Sequence, residues 1–274
     1  MTQKPGPMST NEPWELVAEG YAEEAALVMA PFSRRAAELL APAPNARVLD
    51  VAAGPGTLAL QLASRVKELV ALDFSERMVS ELLKAATLAN LGNLSAIVGD
   101  GQALPFPADQ FDAGFSLFGL MFFPDRARGF SELCRVLKPG AGAVVSSWAS
   151  FDESSLMRAM FGALAAVDPT FTSPRKDGAS LENPDVLEAE MTAGGFERVR
   201  VEAVVQRIRP DSAQDLWHRM ARSSAPLVLL RKRLGEAEWQ RREPLVHAYL
   251  TDALRHEPEL STTALLAVGY KPSR

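Results

Sequence analysis

The feature that most constrains the fold is an apolar segment that passes through two glycines directly into a helix-like segment. Residues 48–59 read Val-Leu-Asp-Val-Ala-Ala-Gly-Pro-Gly-Thr-Leu-Ala. Gly54 and Gly56 lack a Cβ, so the chain can take positive φ there and a ligand can approach the backbone closely. A helix that begins near Thr57 would direct free N–H groups and its positive dipole end at such a ligand. The pattern predicts a strand–turn–helix unit at the carboxyl edge of a sheet, although small residues can also serve only as turn formers.

Apolar runs of strand length alternate with amphipathic segments through the first half of the chain. Five such runs stand out: Ala46–Ala52, Glu68–Leu72, Ser95–Val98, Phe111–Phe118 and Gly142–Trp148. Between the second and third, Ser75–Asn90 has apolar residues at helical spacing, with Ser75 as a candidate N-cap. The alternation predicts an α/β fold whose parallel sheet is covered on both faces.

The pattern changes after the fifth run. We expect, in order, a helix, a loop, a helix, a strand, a basic helical stretch and a last strand: Phe151–Val167, Pro169–Asn183, Pro184–Gly194, Glu197–Ile208, Ser212–His256 and Ser261–Tyr270. The last two strands predict a hairpin that adds an antiparallel strand. The predicted fold class is a Rossmann-like doubly wound sheet of seven mostly parallel strands, with helical lid insertions.

The same segments suggest three parts within one compact domain. Residues 1–45 form an N-terminal helical cap, and residues 46–150 form the ligand-binding core. Residues 151–274 complete the sheet and carry lid insertions near 151–182 and 210–258.

Charge and composition narrow the class of partners. The chain has 274 residues and a formal net charge of −5, and it lacks a basic tail, so we expect no nucleic-acid partner. No apolar run reaches the roughly 20 residues of a membrane span. A single cysteine, Cys134, fits a reducing compartment, and we expect a cytoplasmic protein. No cluster of His, Asp or Glu has the spacing of metal ligands, so no metal is expected.

Acidic residues follow two of the predicted strands. Asp73 ends the second strand, 17 residues after Gly56, where a carboxylate can accept hydrogen bonds from both hydroxyls of a ribose. Asp73 could instead cap the helix that starts at Ser75. Asp100 ends the third strand within Gly99-Asp100-Gly101, where it could bind a base amine or simply form a turn.

These residues closely resemble the class I S-adenosylmethionine-dependent methyltransferases, especially the branch of ubiquinone/menaquinone biosynthesis. The similarity spans roughly Val48–Trp148 and includes the glycine turn, Asp73 and the segments Gly99–Phe106 and Phe130–Gly140. Ala52 departs from the glycine usual in the family. We expect this departure to alter the backbone approach slightly rather than to abolish binding.

The resemblance implies that the chain binds S-adenosylmethionine and transfers its methyl group, by in-line displacement, to a small-molecule acceptor. Asp73 would hold the ribose, Phe74 would pack on the adenine, and Asp50 would contact the amino group indirectly. The residues implied at the cofactor site are Tyr21, Asp50, Ala52, Gly54, Gly56, Asp73, Phe74, Met78, Asp100, Gly101, Gln102, Ser116 and Leu117.

The acceptor side is less defined by sequence. Aromatic residues near the expected methyl position could attract the sulfonium or simply pack the core: Phe115, Phe118, Phe122, Phe123 and Trp148. His218 and His247 are weak candidates for a general base. The basic helical stretch, which includes Arg219 and Arg222, would either attract an acidic acceptor or form a solvated helix face.

Two other functions share parts of the pattern. A nicotinamide-dependent oxidoreductase also uses a Gly-x-Gly-x-x-Ala turn followed by an acidic residue. It would lack the Asp100 segment and the antiparallel strand. A non-catalytic S-adenosylmethionine-binding protein would keep the turn and Asp73 but would lack an open acceptor pocket.

Overall fold

A computed structural model describes residues 7–168, 170 and 180–273. Within them, seven strands form one sheet: β1 (Arg47–Val51), β2 (Glu68–Asp73), β3 (Leu94–Val98), β4 (Phe111–Leu117), β5 (Leu137–Trp148), β6 (Glu197–Ile208) and β7 (Leu260–Tyr270). The strand order is β3-β2-β1-β4-β5-β7-β6. Strands β1 to β5 pair in parallel, whereas β7 is antiparallel to both β5 and β6. The predicted fold class is confirmed.

Helices cover both faces of this sheet. Those of the described chain are α1 (Glu12–Gly20), α2 (Ala26–Leu40), α3 (Thr57–Leu62), α4 (Glu76–Leu88), α5 (Arg126–Val136), α6 (Ser155–Val167), α7 (Pro184–Ala193), α8 (Ala213–Ser223), α9 (Ala225–Leu234) and α10 (Glu236–His256). A single π-helical segment, Tyr21–Ala25, joins α1 to α2. Ser75 caps α4 as predicted, since its hydroxyl accepts from the Met78 N–H at 3.1 Å.

Two elements differ from the sequence prediction. The basic stretch after β6 divides into α8, α9 and α10, because the chain leaves helical geometry at Ser224 and at Gly235, where φ is +79°. Strand β5 begins at Leu137 rather than Gly142, directly after α5 ends at Val136. The predicted loop Pro169–Asn183 lies mostly outside the described residues.

The sheet has one apolar core on each face. Phe32 and Phe115 belong to the first, and Leu49 and Phe130 belong to the second; all four side chains are fully buried. A third apolar cluster joins α6, α8, α9 and α10, and contains two stacked indole rings whose centroids lie 5.4 Å apart. We call helices α6, α8 and α9 the lid. Together with α10, they are held in place by this third cluster rather than by the two cores of the sheet.

The lid lies against the N-terminal helices, since α1 packs on both α8 and α9. The three-part division of the chain at residues 45 and 150 stays a prediction. Among the described residues, no helix is both long and apolar enough to cross a bilayer.

Candidate functional site

A cavity of about 1190 Å³ opens at the carboxyl edge of β1 and β2 and continues beneath the lid. Eleven of the thirteen residues implied at the cofactor site line it, all except Gly56 and Ser116. The fold therefore brings together residues that are far apart in sequence, from Tyr21 to Leu117. Their roles toward a cofactor stay predictions.

The two glycines of the turn do different things. Both have positive φ, +56° at Gly54 and +91° at Gly56. A Cβ added to Gly54 would meet no atom within 4 Å, so this residue leaves open space. A Cβ on Gly56 would lie 2.7 Å from the Leu82 side chain, so this glycine allows α4 to pack closely and does not line the cavity.

Asp73 is the centre of a hydrogen-bond arrangement at the end of β2. Only 5% of the residue is exposed, and its carboxylate accepts from the Gly54 N–H at 2.8 Å and from the Ser75 N–H at 2.9 Å. Burial raises the pKa of Asp73, opposed by these backbone hydrogen bonds. The helix cap is Ser75 itself, so Asp73 ties the glycine turn to the start of α4.

Asp50 is a buried carboxyl group with an unused acceptor. It is 2% exposed, lines the cavity, and its Oδ2 has no hydrogen-bond partner among the described atoms. Burial, and then the nearby charge of Asp73, raise the pKa of Asp50 to about 8. Such a group is suited to a cationic ligand, whose charge would favour the ionised carboxylate.

Tyr21 closes the cavity from the π-helical segment. Its ring lies edge-on to Trp14, with centroids 6.2 Å apart, and both residues line the cavity. Burial, and then the charge of Asp73, raise the pKa of Tyr21 to about 12, so its hydroxyl keeps its proton at neutral pH. Single π-helical turns of this kind are frequent at functional sites.

Ion pairs tie the Tyr21 segment to the lid. Glu24 accepts from Arg222 at 3.2 Å and lies 3.7 Å from Arg219, and Arg222 also pairs with Glu23. Arg219 further pairs with Asp215 at 3.0 Å. Both arginines considered for an acidic acceptor are therefore engaged in internal ion pairs.

The third strand ends in a turn that also borders the cavity. The Asp100 carboxylate accepts from the Gln102 backbone at 2.8 Å and from its side chain at 3.0 Å. A Cβ on Gly101 would lie 2.5 Å from the Phe123 ring, so the close packing requires glycine there. The cavity is lined by Asp100, Gly101 and Gln102. This segment therefore forms a turn and is also placed where it could bind a ligand.

Two apolar residues flank Asp73 on the way to the cavity surface. Phe74 is 38% exposed although it is a large aromatic residue, and it lines the cavity. Met78 is buried and packs with Val17 of α1. An exposed aromatic face beside a buried carboxylate is suited to a flat heterocycle attached to a polar sugar.

Ala52 adopts a conformation that normally favours glycine. Its φ is +56°, in the left-handed region, which costs an L-residue about 1–2 kcal/mol. Gly119 lies opposite Ala52. A Cβ added to Gly119 would lie 2.2 Å from the Ala52 Cβ. The alanine that departs from the family pattern is thus accommodated by a glycine at position 119.

We expect Gly119→Ala to destabilise the protein by about 1–3 kcal/mol, because the new methyl group overlaps that of Ala52. Gly119 has φ of −96°, which alanine tolerates, so the overlap is the main cost. Adding Ala52→Gly should restore most of the loss, since the next atoms are 3.5 Å away. Urea unfolding of both single variants and the double variant measures this coupling, and additive losses would contradict it.

The aromatic residues expected near the methyl position separate into two groups. Phe115 is fully buried and does not line the cavity, so it is a core residue. Phe118, Phe122, Phe123 and Trp148 do line it. The rings of Phe118 and Trp148 pack against each other, with centroids 4.3 Å apart and planes inclined by 31°.

Beneath the lid, the cavity has an apolar compartment that the sequence reasoning did not identify. We call it the acceptor compartment; it is lined by Met157, Met160, Phe161, Met220 and Leu229 in addition to Trp148. Three of these residues lie on one face of α6 at i, i+3 and i+4 spacing. That spacing is an ordinary sign of helix burial, so the sequence did not show that the buried face contacts a cavity.

The other sequence candidates lie elsewhere. Neither His218 nor His247 lines the cavity, and His218 is exposed on α8. Ser116 is fully buried, with its hydroxyl unpartnered, on the sheet face away from the cavity. A search of the described residues for groups of His, Cys, Asp and Glu that could hold a metal found none.

The order of the strands, with one antiparallel strand between β5 and β6, and the acidic edge beside a glycine turn define the class of fold. Residues 48–140 match the family described as a methyltransferase domain. This region is therefore similar to methyltransferase domains, which confirms the resemblance for that part of the chain.

Two kinds of relative agree with this assignment. A ubiquinone/menaquinone biosynthesis C-methyltransferase, UbiE, from Geobacter sulfurreducens is 39% identical over 118 residues, which are 42% of this chain and 46% of that protein. The chain thus spans about half the length of the curated relative it matches. The YcgJ protein of Bacillus subtilis is 19% identical with a TM-score of 0.58, over 91% of this chain and 99% of that one.

A second similar structure is a Haemonchus contortus phosphoethanolamine N-methyltransferase in complex with phosphomonomethylethanolamine and S-adenosylhomocysteine. It is 18% identical, with a TM-score of 0.54, over 88% of this chain and 52% of that one. At these identities, the two structural matches establish the shared fold.

Proposed function

We propose that this protein binds S-adenosylmethionine at the carboxyl edge of the sheet and transfers its methyl group to a small, largely apolar molecule beneath the lid. One observation carries the proposal. A single cavity joins the polar edge, with Asp50 and Asp73, to the apolar acceptor compartment. A bound cofactor and its acceptor would therefore meet inside the same cavity.

The residues at the polar edge fit this cofactor. Asp73 has acceptor capacity beyond its two backbone partners, which suits the ribose hydroxyls. The unpartnered Oδ2 of Asp50 suits a positively charged group. Gly54 leaves room for ligand atoms against the backbone, and Phe74 offers its ring to the base. The unpartnered acceptor of Asp50 and the exposed ring of Phe74 would otherwise be departures from ordinary packing.

S-adenosylmethionine supplies an activated methyl group on a cationic sulfur. The protein therefore needs to orient the acceptor toward that methyl group and to exclude water from the site. Phe118 and Trp148 place aromatic rings in the cavity wall, and such rings attract a cation. The lid encloses the acceptor compartment, which places the two reactants in contact. Such positioning contributes on the order of 7–11 kcal/mol in favourable intramolecular reactions. No described histidine lines the cavity, so the proposal includes no histidine base.

The two alternative functions fit the structure less well. The common dinucleotide-binding sheet has strand order 3-2-1-4-5-6 and is parallel throughout. Here, β7 lies antiparallel between β5 and β6. A non-catalytic cofactor-binding protein would have no use for the acceptor compartment. We therefore favour methyl transfer to a small molecule.

The first experiment is calorimetry of the full chain with S-adenosylhomocysteine and, separately, with NAD. We expect saturable one-to-one binding of S-adenosylhomocysteine and no saturable heat with NAD. Methyl transfer is then tested with S-adenosylmethionine that is radiolabelled on its methyl group. The label incorporated into each of a panel of small aromatic acceptors is measured, together with the S-adenosylhomocysteine that is formed. Binding of NAD in place of S-adenosylhomocysteine would overturn the proposal.

A further inference from the structure

Thr262 is a buried hydroxyl group at the wall of the acceptor compartment. The residue, near the start of β7, has no exposed surface, yet it lines the cavity. Its Oγ1 has no hydrogen-bond partner among the described atoms. Because an unpaired buried hydroxyl costs free energy, such a group in a folded protein calls for an explanation.

A second polar side chain lies beside it. Gln206 on β6 is the direct cross-strand partner of Thr262 in the antiparallel pair. Directly opposite residues share one face of a sheet, and this face also carries Val204 and Ala264, which pack in the cluster of Phe118 and Trp148. Gln206 is half-buried and also lines the cavity. The two side chains therefore form a polar pair on an otherwise apolar wall.

The backbone on both sides of Thr262 is fixed. The Ser261 N–H donates to Ser155 Oγ at 2.8 Å, and the Ser154 hydroxyl donates to the Ser261 carbonyl at 3.1 Å. The Thr263 hydroxyl donates to the Glu153 carbonyl at 3.1 Å. Neighbouring hydroxyl groups are thus used to hold β7 against the start of α6, while that of Thr262 is left available in a fixed position.

The arginines of the cavity wall do not point to an anionic acceptor. Arg219 pairs with Asp215 and Glu24, and Arg233 pairs with Asp168. The remaining described arginine of the lining, Arg209, is exposed to solvent. The neutral polar groups Thr262 and Gln206 are therefore better placed than these arginines to bind an acceptor oxygen.

We propose that Thr262 Oγ1 and the Gln206 side-chain amide bind a hydroxyl or carbonyl oxygen of a neutral, flat aromatic acceptor. The oxygen would satisfy the hydroxyl that the protein leaves unpaired, and the rings would lie against Trp148 and the methionines of the lid. This inference rests on the proposed function, because it assigns the acceptor compartment to the methyl acceptor. Thr262 and Gln206 are specificity-determining residues in this proposal.

Stability of the ligand-free protein gives the first test. Thr262→Val keeps the shape of the side chain but removes the unpaired hydroxyl, so we expect the melting temperature to stay the same or to rise. The matched control is Thr263→Val, which loses the bond to Glu153 and should melt at lower temperature. A drop for Thr262→Val equal to that of the control would show that its hydroxyl serves the fold, and would overturn the proposal.

Binding of defined probes gives the second test. We would compare 4-phenylphenol with 4-methylbiphenyl, which is of similar size, by equilibrium dialysis against protein saturated with S-adenosylhomocysteine. The wild-type protein should prefer the phenol by roughly three- to tenfold, as one good hydrogen bond allows. Thr262→Val and Gln206→Leu should each reduce this preference, while Thr262→Ser and Thr263→Val should keep it.

The outcomes separate this inference from the proposed function. If S-adenosylhomocysteine binds but wild-type protein does not distinguish the two probes, the assignment of Thr262 and Gln206 is wrong and cofactor binding stands. If Thr262→Val keeps the full preference, the assignment is equally wrong. If S-adenosylhomocysteine fails to bind at all, the proposed function fails first.

Discussion

Asp73→Asn is expected to lower the affinity for S-adenosylhomocysteine by roughly 100-fold or more. Asp73 accepts from the Gly54 and Ser75 backbone N–H groups and, in the proposed complex, from two ribose hydroxyls. Hydrogen bonds to a charged group contribute about 1.5–3 kcal/mol each, and an amide replaces one acceptor oxygen by a donor. The NH₂ group would face either a backbone N–H or a ribose hydroxyl. Calorimetry at constant pH measures the loss.

The control for this variant is Asp112→Asn. The Asp112 carboxylate also accepts from a backbone N–H, that of Arg47, at 2.8 Å, but near the amino ends of β1 and β4. Both variants should lower stability through the lost backbone bond. Only Asp73→Asn should lower the affinity, so equal affinity losses for the two would show a general effect of loosening the sheet.

The sheet and its glycine turn could be predicted from sequence because their signals are local. A buried strand of continuous apolar residues, a turn with Gly54 and a helix start at Thr57 all lie within a dozen residues. The antiparallel β7 was expected from the hairpin of the last two predicted strands, together with the resemblance. Asp73 and Asp100 were expected to lie close together because residues that end neighbouring parallel strands meet at one edge, whereas Asp50 was implied by the resemblance.

Two of the implied residues, Gly56 and Ser116, do not line the cavity, because their environment depends on distant parts of the chain. Ser116 and Leu117 are adjacent on β4, and successive residues of a strand point to opposite faces, so only Leu117 reaches the cavity. Gly56 was assigned to the cavity with Gly54, but its open side faces Leu82 of α4. The local sequence does not show which side of the sheet or of the turn each of these residues faces.

The acceptor compartment was invisible to sequence reasoning for a similar reason. Met157 and Met160 look like an ordinary buried helix face, and only the packing of α6 against α10 and β7 leaves space beside them. Arg219 and Arg222 looked available for a ligand because their partners, Glu23 and Glu24, are about 200 residues away in sequence. Sequence patterns locate the lid but do not specify what it encloses.

Affinity for S-adenosylhomocysteine should rise with pH between about 6 and 8 and level off above. Burial, and then Asp73, raise the pKa of Asp50 to about 8, so the ligand-free protein holds this carboxyl group protonated at neutral pH. If the ionised form is the one that receives the amino group of the ligand, binding must release a proton below pH 8. The apparent affinity then increases about tenfold per pH unit in that range.

Stability of the ligand-free protein should change in the opposite direction. A carboxyl group whose pKa is raised by folding stabilises the protein fully below its unfolded pKa, near 3.8, and this contribution is lost as the pH rises through about 8. Asp50→Asn should remove both effects: its affinity should be nearly independent of pH and lower than that of the wild type at pH 8, by about 10- to 100-fold. Calorimetry in two buffers of different ionisation enthalpy measures the released proton directly. If the affinity of the wild type does not change with pH, or if Asp50→Asn keeps the same pH dependence, the Asp50 carboxylate does not bind the positively charged amino group of the ligand.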